Sequence, residues 1–426
     1  MYREVATQAL LLLSFFPLGI GQTAQPEKRL WVLREPGEVV EYDPATWNIR
    51  NTIKVPAEAI KDPGSLAINS KGQMLFCPAV ETGMPGQFPD AGSIWLWNGK
   101  TSATLDGGAV RRADPATGNK ILEVESIPRC YLSSDGQQLY WFANLFRVLK
   151  QGEGGEESVS TVFRAWQTDT TGANPKPCAT FSFPPCQCET GVCQETCPEA
   201  VFWNPIGGVD DFFMMTHLIP GQIGTTYQAS FWYRKSDGKW TSSRLPQAIE
   251  EVLDAVKGGA VLVHRRLDGG CCGWDNVSND QTLLRVNDKD VVIFDEIRSF
   301  ANPDYDVSFY TSNARLSPEA RSVAMTITAT ASAGADIRLS ESGKPNPDEL
   351  ARIRRAIADL PAVEVVAGDN PSKPLFRLKH SISVGWLSDN EILVIEDGSL
   401  VAVVVPGGAR REAKIRVANE SFVFVR

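Results

Sequence analysis

An all-β chain built from one repeated strand–turn–strand unit is what this sequence predicts, and three observations predict it. A short phrase recurs, reading SLAINSKGQMLF at Ser65–Phe76, RCYLSSDGQQLYWF at Arg129–Phe142, ARLSPEARSVAMTI at Ala314–Ile327 and SVGWLSDNEILVIE at Ser383–Glu396. Each copy sets two apolar runs on either side of a tight polar turn. The turns of the first two copies lie 64 residues apart and those of the last two 70, and the 184 between the middle pair make three intervals of about 61, each long enough for a complete small sheet. Finally, three apolar runs open the folded part and a lone one, Glu420–Val425, ends it.

Taken in order, the chain begins with an export signal over residues 1–24. Arg3 supplies a positive charge, Ala9–Ile20 an apolar core, and Gly19, Gly21 and Ala24 small residues for cleavage before Gln22 or Gln25. A membrane-anchored helix is the alternative, but the apolar run is short for a bilayer. Secretion or a periplasmic location follows, with no transmembrane anchor after cleavage. The 426 residues carry a net charge of −9. That balance disfavours phosphate backbones and anionic lipid as partners, so nucleic acid is excluded as an expectation.

Arg29–Val55 reads RLWVLREPGEVVEYDPATWNIRNTIKV, three β runs separated by Pro-Gly and Asp-Pro turn signals. With Pro63–Phe76 it resembles the YVTN-type and WD-like β-propeller repeats, through its "V…YDP.T", "TI.VP" and "P..LAI…G..L" phrases. SSDGQQLYWF likewise is similar to the hairpin of TolB-like propellers. The resemblance implies a fold and no activity. It makes residues 25–426 a single β-propeller domain.

Turn residues Gly72, Gly136, Ala320 and Asn390 mark four inner hairpins, and Ile206–Thr216 and Lys257–His264 supply two more at matching places. A seventh blade is composite, its first three strands from Arg29–Val55 and its last from Glu420–Val425. Sewing the tail beside the first strands closes the ring and removes exposed sheet edges. Seven blades is the expectation, with six as the alternative. One insertion is helical, Asn346–Leu360: Asn346 can cap, Pro347 suits the first helical position, and Leu350, Ile353, Ile357 and Leu360 share a face. Another, Gln151–Glu157 (QGEGGEE), reads as a mobile acidic loop.

Nine cysteines in an exported chain point to disulfides with one thiol left over. Cys178, Cys186, Cys188, Cys193 and Cys197 crowd the loop 175–198, and Cys271 and Cys272 are adjacent beside Trp274 in Asp268–Asp280. Their spacing contains no C-x2-C pair and fits no common zinc pattern, so structural disulfides are expected, with metal binding and redox-active thiols as rivals. Cys77 and Cys130 sit in apolar runs as free buried thiols. In a propeller the second-to-third-strand loop and the crossover to the next blade emerge on one face. Both cysteine sets therefore fall on the same rim.

Three histidines exist: His217, His264 and His380. The first two each end the second strand of neighbouring blades, and with Asp210, Asp268, Asp275 or Glu396 they are candidates for a metal or acid–base site. Asp268, Asp275, Asn276, Asn279 and Asp280 are oxygen ligands of the kind Ca²⁺ takes, and equally residues that turns prefer. Asn276-Val277-Ser278 fits a glycosylation sequon. Gly99-Lys100-Thr101 ends like a phosphate loop, yet Ile94 stands where its upstream glycine belongs. Ser236-Asp237-Gly238-Lys239 matches S-x-x-K only as letters in a hairpin between Trp232 and Trp240.

The expected role is a binding or interaction scaffold for another protein or an extracellular ligand, without a cofactor. The alternatives are a hydrolase or lyase, with a divalent metal or acid–base pair at His217 and His264, and a structural component of the cell envelope.

Overall fold

The structure is a computed structural model that describes residues 28–34, 37–57, 66–69, 71–76, 93–106, 121–124, 129–132, 137–151, 157–170, 176–182, 188–189, 192–193, 201–205, 212–220, 225–234, 240–247, 249–256, 260–267, 279–286, 289–296, 305, 307–330, 337–339, 343–417 and 423–425. Residues 1–24, read above as an export signal, lie outside them. So do Asp210, Asp268, Asp275, Asn276, the Ser236–Lys239 turn, Cys77, Cys186, Cys197, Cys271 and Cys272.

Antiparallel sheets follow one another along the chain. The first holds β1 (Leu30–Arg34), β2 (Glu38–Tyr42) and β3 (Ile49–Lys54), and the second β4 (Leu66–Ile68), β5 (Met74–Phe76), β6 (Ser93–Trp97) and β7 (Ser102–Asp106). The third holds β8 (Ile121–Val124), β9 (Arg129–Leu132), β10 (Gln138–Gln151), β11 (Glu157–Asp169) and β12 (Lys176–Ser182). A two-stranded hairpin, β13 (Cys188–Glu189) and β14 (Val192–Cys193), precedes the fourth sheet of β15 (Val201–Pro205), β16 (Phe212–Pro220), β17 (Thr225–Arg234) and β18 (Trp240–Gln247). The fifth comprises β19 (Ile249–Val256), β20 (Ala260–Leu267), β21 (Asn279–Val286) and β22 (Lys289–Asp295). The sixth comprises β23 (Phe309–Leu316), β24 (Ser322–Ala329), β25 (Ala362–Ala367) and β26 (Phe376–Lys379), with helix α1 (Pro347–Ala358) inserted before β25. The seventh holds β27 (Ser381–Ser388), β28 (Glu391–Glu396), β29 (Ser399–Val404) and β30 (Arg410–Arg416). Last comes β31 (Val423–Val425), which adds to the first sheet beside β1, pairing Leu30 with Val425, Trp31 with Phe424 and Val32 with Val423.

Sequence pattern explains the order within a sheet. In the seventh, β28 and β29 are apolar runs buried on both faces, whereas β30 alternates buried Ala413 and Ile415 with exposed charge. Continuous apolar runs belong inside a stack and alternating ones at its outer rim. The recurring turns are held locally. Asn69 Oδ1 accepts from the Lys71 and Gln73 amides at 3.0 and 2.9 Å, while Gly72 takes φ +74°. Ser317 Oγ does the same for Arg321 and Ser322, with Ala320 in the left-handed region at φ +57°. Gly99-Lys100-Thr101 is such a turn as well, its Lys100 and Thr101 amides donating to Asn98 Oδ1.

Neighbouring sheets pack face to face through large apolar side chains. Trp31 and Leu33 of the first sheet meet Leu66 and Met74 of the second. Leu30 and Val32 meet Leu393 and Leu400 of the seventh. Val363 and Val365 of the sixth meet Ile392 and Val394 of the seventh. Leu262 and Leu284 of the fifth meet Leu316 and Met325 of the sixth. Between the others, β4 and β5 touch β9, β9 and β10 touch β15, and β16 and β17 touch β19.

Helix α1 has the predicted cap: Asn346 Oδ1 accepts from the Glu349 amide at 3.3 Å. Ile353 and Ile357 bury into the core between the fifth and sixth sheets, so the apolar stripe packs on the protein's own sheets. Among the described residues, no helix is long and apolar enough to cross a membrane.

Two readings need correction. QGEGGEE is not wholly a loop, because Gln151 and Glu157 are a cross-strand pair at the end of the long β10–β11 hairpin. Nor is 175–198 one irregular loop: it contains β12, with Cys178 at a bulge between Pro177 and Ala179, and the β13–β14 hairpin. The polar tip of the long β10–β11 hairpin and the two-residue strands β13 and β14 carry too little apolar alternation to show in the sequence.

Candidate functional site

His217 and His264 occupy matching places on adjacent sheets. Each lies in the second strand, opposite Val201 and Gln228 in one case and Glu251 and Thr282 in the other. Neither ends its strand as expected; β16 continues to Pro220 and β20 to Leu267.

The structure gives His264 a different carboxylate from those anticipated. Asn279 and Asp280 belong to β21 and not to the preceding loop, and Asp280 Oδ1 stands 3.3 Å from His264 Nε2. Strand geometry explains this: Asp280 pairs with Arg266, two residues beyond His264, so the two side chains are diagonal neighbours on one face of the sheet. Imidazole and carboxylate form an ion pair whenever the ring is protonated. Glu396 is elsewhere, at the end of β28 in the seventh sheet, where its carboxylate accepts from Arg410 at 2.6 Å. His380 sits between β26 and β27 at φ +53°, its amide donating to the Asp359 carbonyl at 3.2 Å.

Beside the His264–Asp280 pair stands Glu296, a residue that no motif had marked. It is buried at the seam of the fifth and sixth sheets. Its Oε2 accepts from the Asp280 amide at 3.2 Å and its Oε1 from the Phe309 amide at 2.7 Å. One carboxylate thus ties the start of β21 to the start of β23. A second chain runs alongside: Arg265 donates to Gln281 Oε1, and Gln281 Nε2 donates to Asp295 at 2.9 Å. Thr282 and Thr311 hydroxyls meet across the same seam at 2.7 Å.

Burial pushes the Glu296 carboxyl above its ordinary range, against the two amide hydrogen bonds that draw it down, with the neighbouring Asp280 charge adding to the rise. The native state therefore holds this proton at pH values where the unfolded chain has released it. Stability from this group is full below the unfolded value near 4.5 and declines as pH climbs through the raised native value. Glu296→Gln should remove that slope and leave one backbone amide unsatisfied, a pH-independent loss of about 1–3 kcal/mol. Denaturant midpoints of both proteins across pH 4 to 8 check this; parallel profiles would show that Glu296 does not titrate with folding.

Among the described residues, no group of three or more His, Cys, Asp or Glu side chains is arranged to hold a metal ion. Charge and hydroxyl groups of the seam pin two sheets together beside the strand end that leads into residues 268–278.

No protein-family model matches the chain, and no curated protein matches it in sequence. Solved structures resemble it in fold. Apo AztD from Citrobacter koseri is 10% identical over 94% of this chain and 98% of its own, with a TM-score of 0.39. The β-propeller domain of the Trilobed protease from Pyrococcus furiosus, described as having an open velcro topology, is 11% identical over 92% of this chain and 95% of its own, also at 0.39. In fold, the chain resembles β-propeller proteins.

Proposed function

We propose that the chain is an exported, closed seven-bladed β-propeller that works as a binding scaffold, recognising a protein or an extracellular ligand through disulfide-stapled loops on one face. The observation that carries this reading is the strictly antiparallel strand order of the fourth and fifth sheets. In such sheets the connection from second to third strand and the crossover into the next sheet leave by the same side. Residues 268–278, with Cys271 and Cys272, and residues 183–200, with four of the clustered cysteines, are connections of these two kinds. Ring closure draws support from the β31–β1 pairing and from the packing of the first sheet on both the second and the seventh. A rigid ring that holds long loops at one rim is a recognition platform.

The hydrolase or lyase reading keeps one observation in its favour, the matching positions of His217 and His264. Elemental analysis and thiol counting on purified full chain separate the two. The scaffold reading expects metal-free protein with at most a few free thiols, and binding to its partner that reduction abolishes while the far-UV spectrum of the sheets persists. A stoichiometric divalent ion that is lost in His264→Ala would overturn it.

A further inference from the structure

We propose that Cys188 and Cys193 are joined by a disulfide across the β13–β14 hairpin. The register pairs Cys188 with Cys193 and Glu189 with Val192, and only Thr190 and Gly191 separate the two strands. When two residues connect a hairpin, the pair flanking them exchanges both backbone hydrogen bonds. The next pair out is then of the non-hydrogen-bonded kind, whose Cα atoms stand roughly 4.5 Å apart with side chains at their closest. That spacing lies within the window of about 4.4–6.8 Å that a disulfide spans without backbone movement.

The neighbouring cysteines have no such placement. Cys186 and Cys197 lie outside the described residues, and Cys178 is the bulge residue of β12 in the third sheet. A two-residue strand pair also lacks the means to persist alone, since isolated two-stranded hairpins are marginal in water. A covalent link at its open end supplies what the short ladder does not.

The inference rests on the exported reading, because the bond needs an oxidising compartment. The two thiols release two protons and two electrons, and one sulfur–sulfur bond forms here. The electrons reduce the disulfide of a thiol–disulfide exchange partner in that compartment, whose own sulfur–sulfur bond breaks to a dithiol.

The test uses full chain recovered from such a compartment, alkylated in acid and cleaved after glutamate without reduction. Cuts after Glu189, Glu195 and Glu199 put Cys193 and Cys197 on separate small peptides and part both from Cys188. Mass spectrometry should find Thr190–Glu195 bound to the fragment ending at Glu189, with fragmentation assigning the bond to Cys188. Alkylation of Cys193 should go from blocked in the wild type to complete in Cys188→Ala. Attachment of Cys193 to any other cysteine, or a free Cys193 in a chain whose other cysteines are oxidised, overturns the pairing alone. Nine free thiols would overturn both the pairing and the exported reading.

Discussion

Gly72→Ala is expected to lower stability by about 2–5 kcal/mol, roughly twice the loss from Gly99→Ala. Both glycines sit in β-turns at positive φ, +74° and +101°, so an alanine strains the backbone at either, by roughly 1–2 kcal/mol. Their surroundings differ. Nothing stands within 4 Å of a Cβ built on Gly99, whereas one on Gly72 runs into Arg29 and the Trp31 ring. Arg29 can swing aside, but the indole is buried between the first and second sheets against Leu66 and Met74. Moving it means opening that seam, and overpacking of this kind costs a further ~1–3 kcal/mol. Paired denaturant titrations read the difference directly. Equal losses would show that Trp31 yields freely and that the seam is looser than its packing implies.

The same turn shows how much of the fold was legible beforehand. Asn69 and Gly72 announce a hairpin through local chemistry, a side chain that satisfies two amides and a backbone that tolerates positive φ. Local causes leave local traces, and so the cap of α1 and the three opening strands could be read as well. Asp397 and Gly398, both at positive φ, close β28 onto β29 as the tight hairpin their dipeptide favours. Glu296 is the opposite case. Its role depends on the Asp280 and Phe309 amides, brought to it by sheet packing, and nothing near it in sequence distinguishes it from a solvated surface carboxylate. His264 shows an intermediate degree: its sheet and strand were legible, but its partner was not, since the diagonal contact with Asp280 depends on where β21 begins. Register across a long loop is set by the finished sheet and not by the loop.

Cutting the chain after Val417 is expected to lower stability and to change how the chain associates. It removes β31 and strips the pairing partners of Leu30, Trp31 and Val32. Backbone hydrogen bonds of that ladder contribute about 0.5–1.5 kcal/mol apiece, so their direct loss is on the order of 2–4 kcal/mol. The consequence for association is greater. β1 would present an unpaired edge of LWVLR, an apolar strand of the kind that templates intermolecular pairing. The truncated chain should melt earlier and form soluble oligomers that grow with concentration beyond the association state of the intact chain. A circular permutant separates the missing strand from the missing covalent tail. Val425 lies opposite Leu30, so a short linker from Arg426 to Lys28 turns β31 and β1 into an ordinary hairpin, with new ends opened in an exposed turn such as Gly407-Gly408. That chain should recover both the melting temperature and the association state of the intact chain. If it oligomerises like the truncation, β31 does not protect the edge of β1, and the two ends of the chain do not hold each other in the way their pairing indicates.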